Sequence, residues 1–114
     1  MSYDLLQELR NKTDELILCL KQLRTNGIQL AEAEKAYKIK LREEALRLRD
    51  EKMPVTLIDK VVYGITEVAE LRFKRDIADT VYQANLEAIN STKLQMRIIE
   101  NQIAREWSSR DGGL

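Results

Sequence analysis

Histidine is absent from this chain, and cysteine, proline, glycine and aromatic residues are scarce. Without histidine there is no imidazole base working at neutral pH, no Ser–His or Cys–His nucleophile pair and no imidazole metal ligand. A single cysteine, Cys19, excludes an intrachain disulfide and a cysteine-rich zinc site. It reads as a small half-buried residue on a helix flank, since a reactive thiol needs a setting that lowers its pKa. One proline, four glycines and 5% aromatics suit long helices and fit poorly with sandwiches, barrels or doubly wound folds. Neither sign of charge prevails: Lys+Arg and Asp+Glu number 19 each, so no global field draws the chain to nucleic acid or an anionic membrane. The longest apolar run, residues 16–20, is far shorter than the roughly twenty residues of a membrane span. The opening Met-Ser-Tyr-Asp lacks the basic start of a signal peptide, and a cytoplasmic location is expected.

What the chain does contain is helical periodicity. From Val68 to Trp107, Val68, Tyr82, Ile89, Met96 and Ile103 share one seven-residue row. Leu71, Ala78, Asn85, Thr92 and Ile99 share a second row three residues on. Two such rows form a narrow apolar seam, which wants a partner helix rather than a globular core. A first helix predicted over about residues 4–51 carries Leu9, Leu16, Leu23, Leu30 and Tyr37 at the same step. Thr25-Asn26-Gly27 interrupts its polarity without breaking the phase, so a kink near 25–27 is favoured over a full turn.

Pro54 enforces the stop, because the residue before a proline avoids the helical region. Thr56 with Asp59 reads as a cap for a short helix over about 57–63, which Gly64 closes. Thr66 then caps a final helix over about 67–107, with Glu67 and Glu70 favourably placed in its first turn. Residues 108–114 read as a flexible tail. Only the first segment taken as one rod matches the last helix, which should span roughly 60 Å. The expected fold is therefore all-α: a single domain, 1–107, folded as a long antiparallel, coiled-coil-like helical hairpin with a short elbow helix.

Apolar residues outnumber what one stripe per helix can hide. Leu5, Ile17, Leu18, Ile28, Ile39 and Leu46 on the first helix, and Phe73, Ile77, Val81, Leu86, Leu94 and Ile98 on the last, lie off the seam. Two-helix pairs are marginal in water, so a homo-oligomer is expected, a dimer favoured, assembling into a helical bundle. Asn85 in the middle of the seam reads either as a register-setting polar residue across an interface or as a hydrated edge residue.

Candidate interaction residues fall into three sets. The seam itself comprises Val68, Leu71, Ala78, Tyr82, Asn85, Ile89, Met96, Ile99 and Ile103. The elbow, with Met53, Pro54, Val55, Leu57 and Ile58, is either a plug for the end of the bundle, which is favoured, or an exposed docking tip. Arg72, Lys74 and Arg75 form a compact basic cluster for an alternative in which the protein contacts nucleic acid directly, possible but not favoured because acidic residues intersperse it. Pairs such as Glu43-Glu44 and Glu67/Glu70 lack the Glu-x-x-His partners of carboxylate-bridged metal bundles. No catalytic residue, metal site or cofactor is expected, and the chain reads as a non-enzyme.

Four stretches carry a resemblance: Lys52-Met53-Pro54-Val55-Thr56-Leu57-Ile58, then Val68-Ala69-Glu70-Leu71-Arg72-Phe73-Lys74-Arg75-Asp76, then Glu87-Ala88-Ile89-Asn90, and finally Glu100-Asn101-Gln102-Ile103-Ala104-Arg105-Glu106-Trp107. In these the chain resembles small helical proteins encoded by temperate phages of Gram-positive bacteria, from about Gly27 onward and more weakly before it. The resemblance implies a small intracellular accessory protein, often encoded near replication and recombination functions, and supplies no activity or catalytic residues. Together with the helical reading, it leads to the expectation of a protein-interaction module that binds a phage or host factor of nucleic-acid processing or defence. A virion scaffold or connector component is a further alternative.

Overall fold

The computed structural model describes residues 2–112. Among them lie α1 (Ser2–Asp50), α2 (Val55–Val61), a 3-10 turn (Val62–Gly64) and α3 (Thr66–Gly112), and no strand. α1 and α3, of 49 and 47 residues, are the antiparallel arms of a helical hairpin, and α2 with the 3-10 turn forms its elbow. By packing, the chain divides into an elbow unit, Thr25–Gln83, and a terminal unit made of Met1–Arg24 with Ala84–Leu114.

In the elbow unit the apolar core is Leu48, Ile58 and Val62, with Leu41, Ala45, Met53 and Ile65 packed around it. Val68 is fully enclosed at 0% exposure. α1 ends in a Schellman turn: Lys52 adopts φ 65°, its N–H donates to the Arg49 carbonyl (2.9 Å), and the Met53 N–H reaches back to the Leu48 carbonyl (3.1 Å). The apolar contact that accompanies such turns is present here, since Met53 packs against the cluster containing Leu48. Pro54 follows directly and starts α2, its carbonyl accepting from the N–H groups of Leu57 (2.9 Å) and Ile58 (3.0 Å).

Three local expectations are corrected at this end. Thr56 is the second residue of α2 and no side chain caps that helix; the proline's fixed φ of −58° supplies the geometry instead. Gly64 closes no left-handed turn, because no glycine takes a positive φ among the described residues. Thr66 is already helical, and the extended Ile65 before it lends its carbonyl to the Ala69 N–H (2.8 Å).

α1 continues as helix through Thr25, Asn26 and Gly27, so no turn interrupts it. Gly27 has a packing reason rather than a conformational one. A Cβ there would lie 3.3 Å from Cε1 of Tyr82, whose ring occupies the space.

In the terminal unit Ile89 and Ile99 are buried, and two polar residues are buried beside them, Asn85 and Thr92. The Thr92 hydroxyl donates to the Ala88 carbonyl one turn back (2.8 Å). Leu9, Leu16 and Leu23 are half-buried on α1. α3 runs on to Gly112, so residues 108–112 belong to the helix and not to a tail; residues 113–114 lie outside the described residues.

Candidate interaction surfaces

The seam residues read from the sequence lie on the inward side of α3. In the elbow unit Val68 is buried, and Leu71, Ala78 and Tyr82 are half-buried. In the terminal unit Asn85, Ile89 and Ile99 are buried, with Met96 and Ile103 half-buried. Burial recurs every three and four residues, the spacing of a helix packed on one neighbour. These positions serve the hairpin's own closure. Asn85 is 7% exposed, and its Nδ2 donates to the Cys19 carbonyl on α1 (3.1 Å), so it is no hydrated edge residue. Its register-setting contact lies inside this chain.

Arg75 occupies the slot that the row through Val68 and Tyr82 skips. Its guanidinium lies 4.7 Å from the centroid of the buried Tyr37 ring, and its Nε and Nη2 donate to Oδ1 of Asp76 (3.1 and 2.9 Å). The hydrogen bonds it donates to Asp76 hold the Arg75 pKa above its ordinary value. Glu34 and Asp79 line the same shallow groove as Arg75 and Asp76. An arginine stacked on an aromatic face and surrounded by carboxylates is a structural cation, poorly disposed toward phosphate. Arg72 lies 5.5 Å from the Tyr63 ring centroid, and Lys74 is exposed. The three basic side chains thus have different neighbours.

The elbow set divides in two. Ile58 is buried in the core and Met53 packs on it, so Ile58 is withdrawn from any docking role by the plug it forms with Leu48 and Val62. Pro54 and Val55 are exposed, Val55 at 66%, and Leu57, Val61 and Tyr63 are also among the exposed large apolar or aromatic residues.

Glu44, which lacks the partners of a metal-bundle carboxylate, lies in an ion-pair cluster on α1. Its side chain is only 12% exposed and accepts from Lys40 Nζ (3.3 Å) and Arg47 Nε (2.7 Å), while Arg47 Nη1 reaches Glu51 (2.9 Å). The Arg47 hydrogen bond lowers the Glu44 pKa, and Glu44 in turn raises that of Arg47. Its inward position was detectable, because Glu44 continues the row Leu9, Leu16, Leu23, Leu30, Tyr37.

Among the described residues no group of three acidic or cysteine side chains is disposed to hold a metal ion, and no helix is long and apolar enough to cross a membrane. Cys19 is half-buried. The outward surface includes large apolar side chains: Leu6, Ile17, Leu18 and Leu20 with Leu94, Ile98 and Trp107 in the terminal unit, and Ile28, Ile39 and Leu46 with Phe73, Ile77 and Val81 in the elbow unit. Comparison with protein-family models, with curated proteins and with solved structures finds no match to this chain.

Proposed function

We propose that this chain is a non-enzymatic, self-associating helical interaction module, a phage-encoded accessory protein that binds a phage or host factor of nucleic-acid processing or defence. The phage setting comes from the resemblance noted in the sequence. The interaction role rests on one observation, the apolar surface left outside the hairpin. Large apolar side chains recur on the outward faces of both arms, where single exposed residues are ordinary but repeated ones mark a contact surface.

Direct nucleic-acid binding lacks comparable support, since Arg75 is engaged by Tyr37 and Asp76. Light scattering on the full chain at rising concentration tests the first half of the proposal, with a dimer mass expected. Affinity purification from infected-cell lysate tests the second: one protein should be retained by the wild type and lost from a Val55→Ser/Leu57→Ser variant or an Ile39→Ser/Leu46→Ser variant. A chain that stays monomeric and retains nothing overturns the reading.

A further inference from the structure

Building on that self-association, we propose that a second copy of this chain docks antiparallel on the outward stripe of α3 within the terminal unit, the Leu94 and Ile98 side chains of each copy packing on those of the other. Six residues make the stripe, at alternating steps of four and three: Glu87, Ser91, Leu94, Ile98, Asn101 and Arg105. Such steps keep to one face of a helix. All six are exposed, Leu94 and Ile98 at 54% each, on the side of α3 away from the buried Ile89, Thr92 and Ile99. The stripe runs about 27 Å along the axis and lies wholly inside residues 84–114.

The stripe is complementary to its own reverse. The pairs Leu94/Ile98, Ser91/Asn101 and Glu87/Arg105 share one midpoint, Met96. Reversing the helix about that level sets Leu94 on Ile98, Ser91 on Asn101 and Glu87 on Arg105 of the second copy. Each contact then occurs twice, which is the property of an isologous interface. The centre is apolar, the next layer can hydrogen-bond, and the ends carry opposite charge.

Charge selects this direction and this occupant. A parallel pair would set Glu87 on Glu87 and Arg105 on Arg105, like charges at both ends. In the antiparallel pair the Arg105 guanidinium donates to the Glu87 carboxylate of the second copy. Among the described residues neither of the two takes part in an ion pair within the chain. The flanking rows are Asn90, Arg97 and Ala104 on one side and Ala88, Gln95 and Gln102 on the other. They carry one charge, and it opposes the arrangement: Arg97 lies one position from the midpoint, so its two copies approach across the axis. Arg97→Gln should accordingly tighten the dimer. With only two apolar side chains per copy the contact is short, which places association in the micromolar range rather than the nanomolar.

Sedimentation equilibrium on the full chain tests the proposal, with far-UV circular dichroism verifying that each variant stays helical. Leu94→Glu and Ile98→Glu should each weaken association by at least about tenfold, while Leu18→Glu on α1 should leave it unchanged. Glu87→Arg and Arg105→Glu should each weaken it, and the double exchange should restore it. That rescue decides the matter even where a Leu94→Glu chain loses helix. A wild-type chain that is monomeric throughout overturns both this interface and self-association. A dimer indifferent to Leu94→Glu, Ile98→Glu and the charge exchange, or one broken by Leu18→Glu, overturns this interface alone.

Discussion

Lys52 holds a left-handed backbone, φ 65°, where a glycine is the usual occupant. An L side chain there costs about 1–2 kcal/mol, and the Schellman hydrogen bonds with the Met53–Leu48 contact offset it. Lys52→Gly should therefore raise the chemical denaturation midpoint by about 1 kcal/mol in free energy, and an unchanged midpoint would remove the strain argument. The glycines present elsewhere have different reasons to be there. At Gly27 the Tyr82 ring fills the space a side chain needs, so Gly27→Val should lower stability by about 1–3 kcal/mol through overpacking. At Gly64 an added Cβ meets nothing within 4 Å and φ is not positive. Gly64→Ala should be neutral or stabilising by up to about 1 kcal/mol. Thermal melts of the two variants, moving in opposite directions or one only, separate the causes.

Within the elements, polar residues on inward faces decide more than exposed pairs do. Asn85 joins α3 to the α1 backbone at Cys19, a link spanning 66 residues of sequence. Asn85→Ala should cost about 1–2 kcal/mol, because it leaves a part-buried carbonyl with one partner fewer; a smaller loss in urea titration would show the site open to water. Glu44 makes α1 sensitive to acid. Its folded pKa is depressed by Arg47 first and Lys40 after it, so its contribution is complete above the ordinary value of 4.5 and vanishes as pH falls through the lower folded value. Glu44→Gln should be less stable than wild type at neutral pH and should lose less on acidification toward about pH 3. Parallel pH profiles for the two proteins would exclude Glu44 as a source of acid sensitivity. The heptad rows of α3 were legible because burial on one neighbour imposes a 3–4 step on the residues themselves. Arg75 was not, since a guanidinium enters such a row only when an aromatic face such as Tyr37 and a carboxylate such as Asp76 receive it.

For the whole molecule the governing quantity is exposed apolar area. If association covers part of it, folding and assembly are linked, and the thermal midpoint should climb with protein concentration. Scanning calorimetry over a hundredfold concentration range, roughly the span in which a linked dimer shifts measurably, gives the check. A midpoint independent of concentration would mean that the hairpin is stable alone with its outer faces wet. Of the elbow residues, Ile58 and Val62 plug the core, while Val55 and Leu57 remain outside. A seven-residue helix has two sides, and a sequence window that short does not say which of them meets the hairpin.

Periodicity, the scarcity of glycine and proline, and the stop at Pro54 were sufficient by themselves to determine an all-α antiparallel hairpin with its seam on α3. Those are local facts, because the face a residue occupies depends only on helix pitch. The opposition of Gly27 to Tyr82, of Asn85 to Cys19 and of Arg75 to Tyr37 was decided by the tertiary structure. Each depends on the register between two helices joined through the elbow, and no residue in either arm carries that alignment alone.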